Sequence, residues 1–546
     1  MRRASVISGL IAGACFVWAA VLTATPGEAL IADAAEQGDA AAVRSLVLQK
    51  ADVNAAQGDG TTALHWAASR GDVEMTALLL RAGAGVNAAT RIGGITPLLM
   101  AVDMGNAPVV EMLLKAGANA NARNSASGAT ALMRAAAAGD PRTLQLLIDH
   151  GADVNAKEPG RGQTALMFAA AADRPAAIRM LASRGADASV TSTVVRLADP
   201  APAYDENGFP LDADLILHAN LPPGEEAAKA ALAGRRTWAT VSGGMTALLV
   251  AARDGKPETT RALLDSGASV NQVSAGDQTS PLVMAIINGH FDLAMDLLGR
   301  GARPNIANQD GLEALYATID AQWAPSGGGP VPVTGREKTS YLELMKALLD
   351  HGANPNARLR RKLWYRPLDH DQMWVGTPGS TAFWRAAQAT DVAAMRLLAE
   401  HAADPGIPSD EGDTALMMAA GVGWSGNFSH NASTSALDAV KFCVALGLGV
   451  NTQDVTGYTA LGGAAWRGDN ELVEYLVKQG AKLDIKTHRG WSVTDMATGP
   501  YLRTTGGTPH PETVELLRKL GAPELTPHPD EDVLGLIKRP VQQPQR

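Results

Sequence analysis

Between Arg358 and Ser380 the chain reads RLRRKLWYRPLDHDQMWVGTPGS, which gathers Trp364, Tyr365 and Trp374 among Arg358, Arg360, Arg361, Lys362 and Arg366. The 546-residue chain around it is acidic, with a formal net charge of -9, and only 4% aromatic. Aromatic rings offer rigid amphipathic contact area and guanidinium groups offer forked hydrogen bonds, so the stretch has the chemistry of a partner-binding loop. Trp384 follows in the next apolar run and joins the candidate site, with Arg360 and Arg361 as its leading cations. The competing reading is that the rings fold down as a cover, because a long loop needs a small core of its own. Asp369, His370 and Asp371 invite a metal, but adjacent side chains of an extended loop alternate in direction and nothing is spaced to complete the shell. Asp205 and Asp212 sit in fragments of a calcium-loop pattern whose ligand spacing is missing.

Those negatives extend along the chain. No Gly-rich phosphate loop, nucleophile motif or paired acidic site stands out, so the expectation is a non-enzyme without cofactor or metal. The first residues explain the cysteine count. Arg2 and Arg3 precede an apolar run from Val6 to Ala24, a Pro26-Gly27 break and the small-residue pattern Gly27-Glu28-Ala29, which reads as a secretory signal over residues 1–29. An uncleaved anchor is the alternative, and membrane attachment is expected only in that case. Both readings place the remainder outside the cytoplasm, and the Ala-rich composition suggests a bacterial periplasmic or secreted protein. With the signal removed, Cys443 is the one remaining cysteine, which excludes an intramolecular disulfide and a cysteine-ligated zinc site. Basic residues among aromatics can also grip a phosphate chain. An exported location and the acidic remainder argue against nucleic acid.

The elements that must position the candidate residues emerge from self-similarity. DGTTALHWAASRGDVEMTALLLRAGAGVNA (59–88) aligns with GGITPLLMAVDMGNAPVVEMLLKAGANANA (93–122), and the leading Thr recurs at Thr62, Thr96, Thr130 and Thr164 with a spacing of 34. It resumes at Thr246, Ser280, Thr381, Thr414, Thr459 and Ser492. A Thr there accepts from orphan amides at a helix start. The Ala-rich helix that follows lets neighbours approach, Gly71, Gly105 and Gly139 end it in a left-handed conformation, and Asp72, Asn106 and Asp140 are placed to cap a second helix. The apolar stripe of that second helix is expected at Val73, Leu78 and Leu79. His65, His150, His351 and His401 occupy recurring positions and read as structural. No single repeat can bury its apolar face, so the repeats must stack.

With TALHWAA, TPLLMAV, TALMRAA, TALMFAA, TALLVAA, SPLVMAI, TALMMAA and TALGGAA each set before GADVN, GASVN, GARPN, GANPN or a variant, the chain resembles the ankyrin-repeat family from about Leu30 to Leu520. The resemblance implies an all-α solenoid of stacked antiparallel helix pairs with hairpin fingers. Trp384 lies where that family often has His, and is expected near the base of the finger formed by the opening stretch. Repeats are expected over residues 30–193 and 242–521, with a mobile tail over 522–546. Leu30 to Ala55 reads as an N-terminal cap without a full first-helix signal, and the repeat from Asp310 to Asn356 is degenerate, with Glu313 where Thr stands elsewhere. Insertions are expected at 194–241, 321–340, 358–380 and 421–436. Those between repeats enlarge fingers; those between the two helices of one repeat emerge at the opposite edge. The bases of the two enlarged fingers lie roughly 30 Å apart, at about 10 Å per packed helix. The function this implies is an exported, monomeric scaffold that binds a partner protein through fingers and first helices, the alternative being a glycan stacked on exposed Trp.

Overall fold

The computed structural model describes residues 29–196, 241–324, 332, 334–363, 375–426, 429, 431–488, 490–499, 501–502, 505–506 and 508–525. The signal, the calcium-like fragments at Asp205 and Asp212, the Asp369-His370-Asp371 run and the end of the tail lie outside the described residues. The chain divides into two compact bodies, residues 1–126 and 127–546.

In the first body three helix pairs follow one another: α1 (Leu30–Gln37) with α2 (Ala40–Leu48), α3 (Ala63–Arg70) with α4 (Val73–Arg81), and α5 (Pro97–Asp103) with α6 (Ala107–Lys115). The second body continues with α7 (Ala131–Ala138) and α8 (Pro141–Asp149), α9 (Ala165–Ala171) and α10 (Pro175–Ser183), α11 (Ala247–Arg253) and α12 (Pro257–Asp265), and α13 (Pro281–Ile287) and α14 (Phe291–Gly299). Then come α15 (Ala314–Gln322) and α16 (Tyr341–Asp350), α17 (Ala382–Gln388) and α18 (Val392–Glu400), and α19 (Ala415–Ala420) and α20 (Ala436–Ala445). The last pairs are α21 (Ala460–Arg467) with α22 (Asn470–Lys478) and α23 (Val493–Ala497) with α24 (Pro511–Lys519). This is an all-α repeat architecture. The N-terminal segment forms a complete pair: α1 buries Ile31, Ala32 and Ala35, and α2 is capped by Asp39, which accepts the Ala42 amide.

The capping logic holds at most repeats. Thr96, Thr130, Thr246, Thr381, Thr414 and Thr459 accept the amide three residues on, and Ser280 and Ser492 do the same; each such bond stabilises its helix by about 1 kcal/mol. Thr164 makes no such bond. Asp72 and Asp140 cap α4 and α8. Asn106 does not cap α6: its amide instead donates to the Ala68 carbonyl of the preceding repeat at 3.1 Å. Gly71 makes room for it, since a Cβ there would lie 2.6 Å from Asn106 Oδ1, and its φ of 69° is left-handed. The stripe of α4 is Met75, Thr76 and Leu79. Val73, expected in it, faces solvent because the first turn of the helix starts on the outer side.

The first helices carry the core. Ala67 and Ala68, Ala135 and Ala136, and Ala169 and Ala170 are buried where adjacent helices close up, and in the second body one apolar cluster runs from Leu249 to Leu517. Short strands accompany the helices: β1 (Val194–Arg196) pairs antiparallel with β2 (Val241–Gly243), Val194 opposite Gly243, and β3 (Tyr501–Leu502) pairs with β4 (Thr505–Gly506), Tyr501 opposite Gly506. The second ribbon lies in an insertion, residues 498–510, that is not among those expected from the sequence. The chain also stays attached past its expected end, since Thr494 Oγ1 donates to Pro523 O at 2.8 Å.

Candidate functional site

Within each body, neighbouring hairpin fingers are tied by backbone bonds. Within the first body, Arg91 N donates to Asp59 O and Ser125 N to Gly93 O, both at 2.7 Å. Within the second, the ladder passes through Thr193 N to Arg161 O at 2.7 Å, Ala275 N to Gly244 O at 2.9 Å and Gln309 N to Asp277 O at 2.9 Å. It continues through Arg360 N to Asp310 O at 2.7 Å, Asp410 N to Pro378 O at 2.9 Å and Val455 N to Glu411 O at 2.8 Å. The chain therefore enters the insertions after 193 and after 360 from finger residues that belong to the ladder. The Asn of each GVNA-like turn adds a second tie: Asn271 Nδ2 donates to Gly301 O at 3.1 Å and its Oδ1 accepts the Arg303 amide at 2.8 Å. Asn87, Asn155, Asn305, Asn356 and Asn451 repeat the arrangement.

Of the proposed site residues, Trp364, Tyr365 and Trp374 lie outside the described residues. Arg360 and Arg361 are exposed on the finger, their amides both directed at Asp310 O. Arg358, beside them, donates to Asp410 Oδ1 at 2.9 Å and to Gly379 O at 2.8 Å. Trp384 must be corrected. It is 0% exposed, and its Nε1 donates to Asp413 O at 3.0 Å, which leaves it no surface for a partner. The reason is register. Three residues past the cap, His65 likewise points inward, its Nε2 2.9 Å from Ile95 O. Because that nitrogen donates, Nδ1 accepts from the Thr62 hydroxyl at 2.8 Å and amide at 3.1 Å, and burial lowers the His65 pKa, which favours this neutral form. Trp384 makes the same bond to the following repeat. His150, His351 and His401 bond the carbonyl four residues earlier and close their helices.

Sequence models of ankyrin repeats match residues 31–124, 113–192 and 216–308, and a single ankyrin-repeat model matches 456–488, together more than half of the chain. The chain belongs to the ankyrin-repeat family. An ankyrin repeat-containing protein of Treponema pallidum is 39% identical over 112 residues, which is 20% of this chain and 32% of the relative; the match thus spans about a third of the relative's length. Ankyrin repeats are protein-interaction modules, and what distinguishes this one is which repeats keep an open surface.

The position four residues past the cap decides it, and sequence reasoning passed it over. In the first body Trp66 and Met100 stand there half-buried, with Met104 59% exposed one turn on and Ile92 80% exposed on the finger. Trp66 Nε1 donates to Gln57 Oε1 at 2.9 Å. In the second body Arg134 and Phe168 are half-buried at the same register, whereas Val250, Met284, Arg385, Met418 and Gly463 are buried. The signal was available: these residues follow the inward-facing one in every TALHWAA-like motif.

The two insertions between helices account for part of that closure. Arg385 donates through Nε to Asp320 Oδ1 at 3.0 Å and through Nη2 to Trp323 O at 2.6 Å, where the first of them begins. The Trp323 ring meets Tyr341 edge-on at 5.8 Å and its Nε1 donates to Asp391 Oδ2 at 2.8 Å. Burial, with Asp391 close by, pushes the Tyr341 hydroxyl pKa up. The other end of the same insertion is pinned by Asp292, which accepts from Lys338 N at 3.1 Å and from Thr339 N and Oγ1 at 2.8 Å. In the second insertion Trp424 O accepts from Trp466 Nε1 at 2.9 Å, and the Arg467 guanidinium lies 4.9 Å from the Trp424 ring centroid. A Cβ on Gly463 would sit 2.6 Å from Val422 N, so the unusual TALGGAA motif is the seat of that insertion. In both cases a Trp of the insertion straps the first helix of the next repeat.

Cys443 lies inside this packing, its thiol pKa pushed up to about 12 by burial, and is inert at neutral pH.

Proposed function

We propose that the chain is an exported, non-catalytic, monomeric scaffold that holds a partner protein against its fingers and open first helices. The observation that supports this most is the half-buried set of large side chains at one register, Trp66 and Met100 in one body and Arg134 and Phe168 in the other. Stacked helices bury such side chains where neighbours close over them, and Trp66, Met100 and Phe168 keep part of their apolar surface exposed. Arg360 and Arg361 extend the candidate surface to the enlarged finger, and the charged, apolar leader of residues 1–29 is the basis for export. Trp384, Trp466 and Trp491 are buried, which removes these three described tryptophans as stacking platforms for a glycan.

The test compares periplasmic affinity purification with the wild-type chain, with Trp66→Ala/Phe168→Ala, and with Arg360→Glu/Arg361→Glu, recording thermal unfolding of all three. A partner recovered with wild type and lost with variants of unchanged melting temperature supports the reading. A partner retained by both variants contradicts it.

A further inference from the structure

The two loops inserted between helices grip the repeats on both sides of them, and their grips meet at one turn. The first loop, entered after α15, reaches back to α14: Asp292 N donates to Glu337 Oε2 at 2.8 Å, and the Asp292 carboxylate accepts from the Thr339 amide and hydroxyl. Thr334 Oγ1 donates to Gln322 Oε1 at 3.1 Å and closes the loop on its own helix. Forward, Trp323 Nε1 donates to Asp391 Oδ2. The second loop, entered after α19, reaches back to the residues just before that aspartate. Ala432 N donates to Ala389 O at 2.9 Å, Thr434 Oγ1 to Thr390 O at 2.6 Å and Thr390 Oγ1 to Thr434 O at 3.3 Å. Forward, Trp424 holds Trp466 and Arg467 of α21.

The shared turn, Ala389 to Asp391, is unusual in its backbone. Nine residues past the cap, other repeats place Gly71, Gly105, Gly139, Gly255, Gly289 or Gly468, each with a left-handed φ between 62° and 83°. Asp173 takes the same position at φ 57°, as a residue type that tolerates it. Thr390 adopts φ 52° there, a conformation that is costly for a β-branched side chain. Such strain persists where the surroundings over-determine it. Thr390 and Asp391 are each 1% exposed, the Thr390 hydroxyl and carbonyl both bond Thr434, and Asp391 divides its carboxylate between the Trp323 indole and the Ala394 amide that begins α18. A glycine would make the turn but bring no hydroxyl to it.

In a stack of repeats each unit is stabilised by its own helices and by the interfaces to its neighbours, so the stack opens at its weakest interfaces. Bonds from the two loops cross each successive interface from the α13–α14 pair to the α21–α22 pair. The α7–α8, α9–α10 and α11–α12 pairs have only short links between their helices. We propose that the two loops are successive staples joined at Thr390 and Asp391, which make α13–α22 one cooperative block and transmit the loosening of either staple to the other. The root of the enlarged finger, with Arg358 to Arg361, lies between α16 and α17 and is held inside the block. The block does not depend on the identity of any partner, so it survives or fails separately from the scaffold reading.

Native-state hydrogen exchange of the full chain in stepped, sub-denaturing guanidinium chloride, read by mass spectrometry, tests it. Amides that exchange only when their cooperative unit unfolds converge on one curve. Peptides from α13 to α22 are expected to share such a curve, and those from α7 to α12 to open at lower denaturant. Trp323→Phe keeps an aromatic ring but removes the donor to Asp391, and Thr434→Val removes, at an exposed position, the hydroxyl that bonds Thr390 O. Each is expected to raise exchange about fivefold, the factor contributed by one hydrogen bond, over 314–350 and over 415–445 alike. Separate wild-type curves for α15–α16 and α19–α20, one curve shared by all of α7–α22, or a rise confined to the loop that carries the substitution overturns the block.

Discussion

Arg134 in α7 and Arg385 in α17 stand at the same register, four residues past a capping Thr, yet one is half-buried at the surface and the other lies in the core. Around Arg385 the α15–α16 insertion has supplied Trp323 and the helix before it Asp320, so the guanidinium became part of the interior. No such insertion follows α5 or α7 in its own repeat, where α6 and α8 begin within four residues. The difference shows that an inserted loop can turn a first-helix face from surface into core, although Val250 and Met284 are buried at this register with only short links between the helices of their repeats. In this chain the described ends of the loops between helices are built back into the fold.

That contrast can be broken at several points. The largest effect is expected for Trp384→Ala, about 3–5 kcal/mol of lost stability as for large buried aromatics, measured by chemical denaturation; Trp66→Ala, at a half-buried ring in the first body, is expected to cost clearly less. Gly463→Leu restores a large residue at the strapped register and must push Val422 aside. It is expected to cost about 1–3 kcal/mol and to raise hydrogen exchange over 421–426, and an unchanged exchange rate would remove the seat assigned to that insertion. Trp424→Leu keeps apolar area but removes the ring beneath Arg467, for an expected loss of about 0.5–1 kcal/mol, read as a small downward shift in the denaturation midpoint.

The parts legible in the sequence were those with local causes. The capping Thr and Ser, the left-handed Gly after each first helix and the 34-residue period follow from chain-neighbour chemistry, and the structure reproduces them nearly everywhere. Two of the misreadings involve a neighbour distant in sequence. Asn106 looks like a cap but bonds Ala68 across the stack. Trp384 looks like an anchor in an aromatic cluster but occupies the inward register that His65 holds. The ribbon at 498–510 was missed although the Gly- and Pro-rich run TGPYLRTTGGTPHP (498–511) marks a break after the short α23. Of the candidate site, Arg360 and Arg361 were legible from charge alone, whereas Trp66 and Phe168 stayed hidden inside ordinary repeat motifs, where exposure is set by what closes over them.

The most direct measurement is equilibrium unfolding of Arg385→Ala beside Arg134→Ala. Arg385 and Asp320 form a buried pair at 3.0 Å with side chains 5% and 4% exposed, so removing the cation leaves an uncompensated buried carboxylate and is expected to cost about 3–5 kcal/mol. Arg134→Ala, at the same register without the strap, is expected to change stability by no more than about 1 kcal/mol. Similar costs for the two variants would contradict the account, since the inserted Trp straps would then not be what turns this register from surface into core.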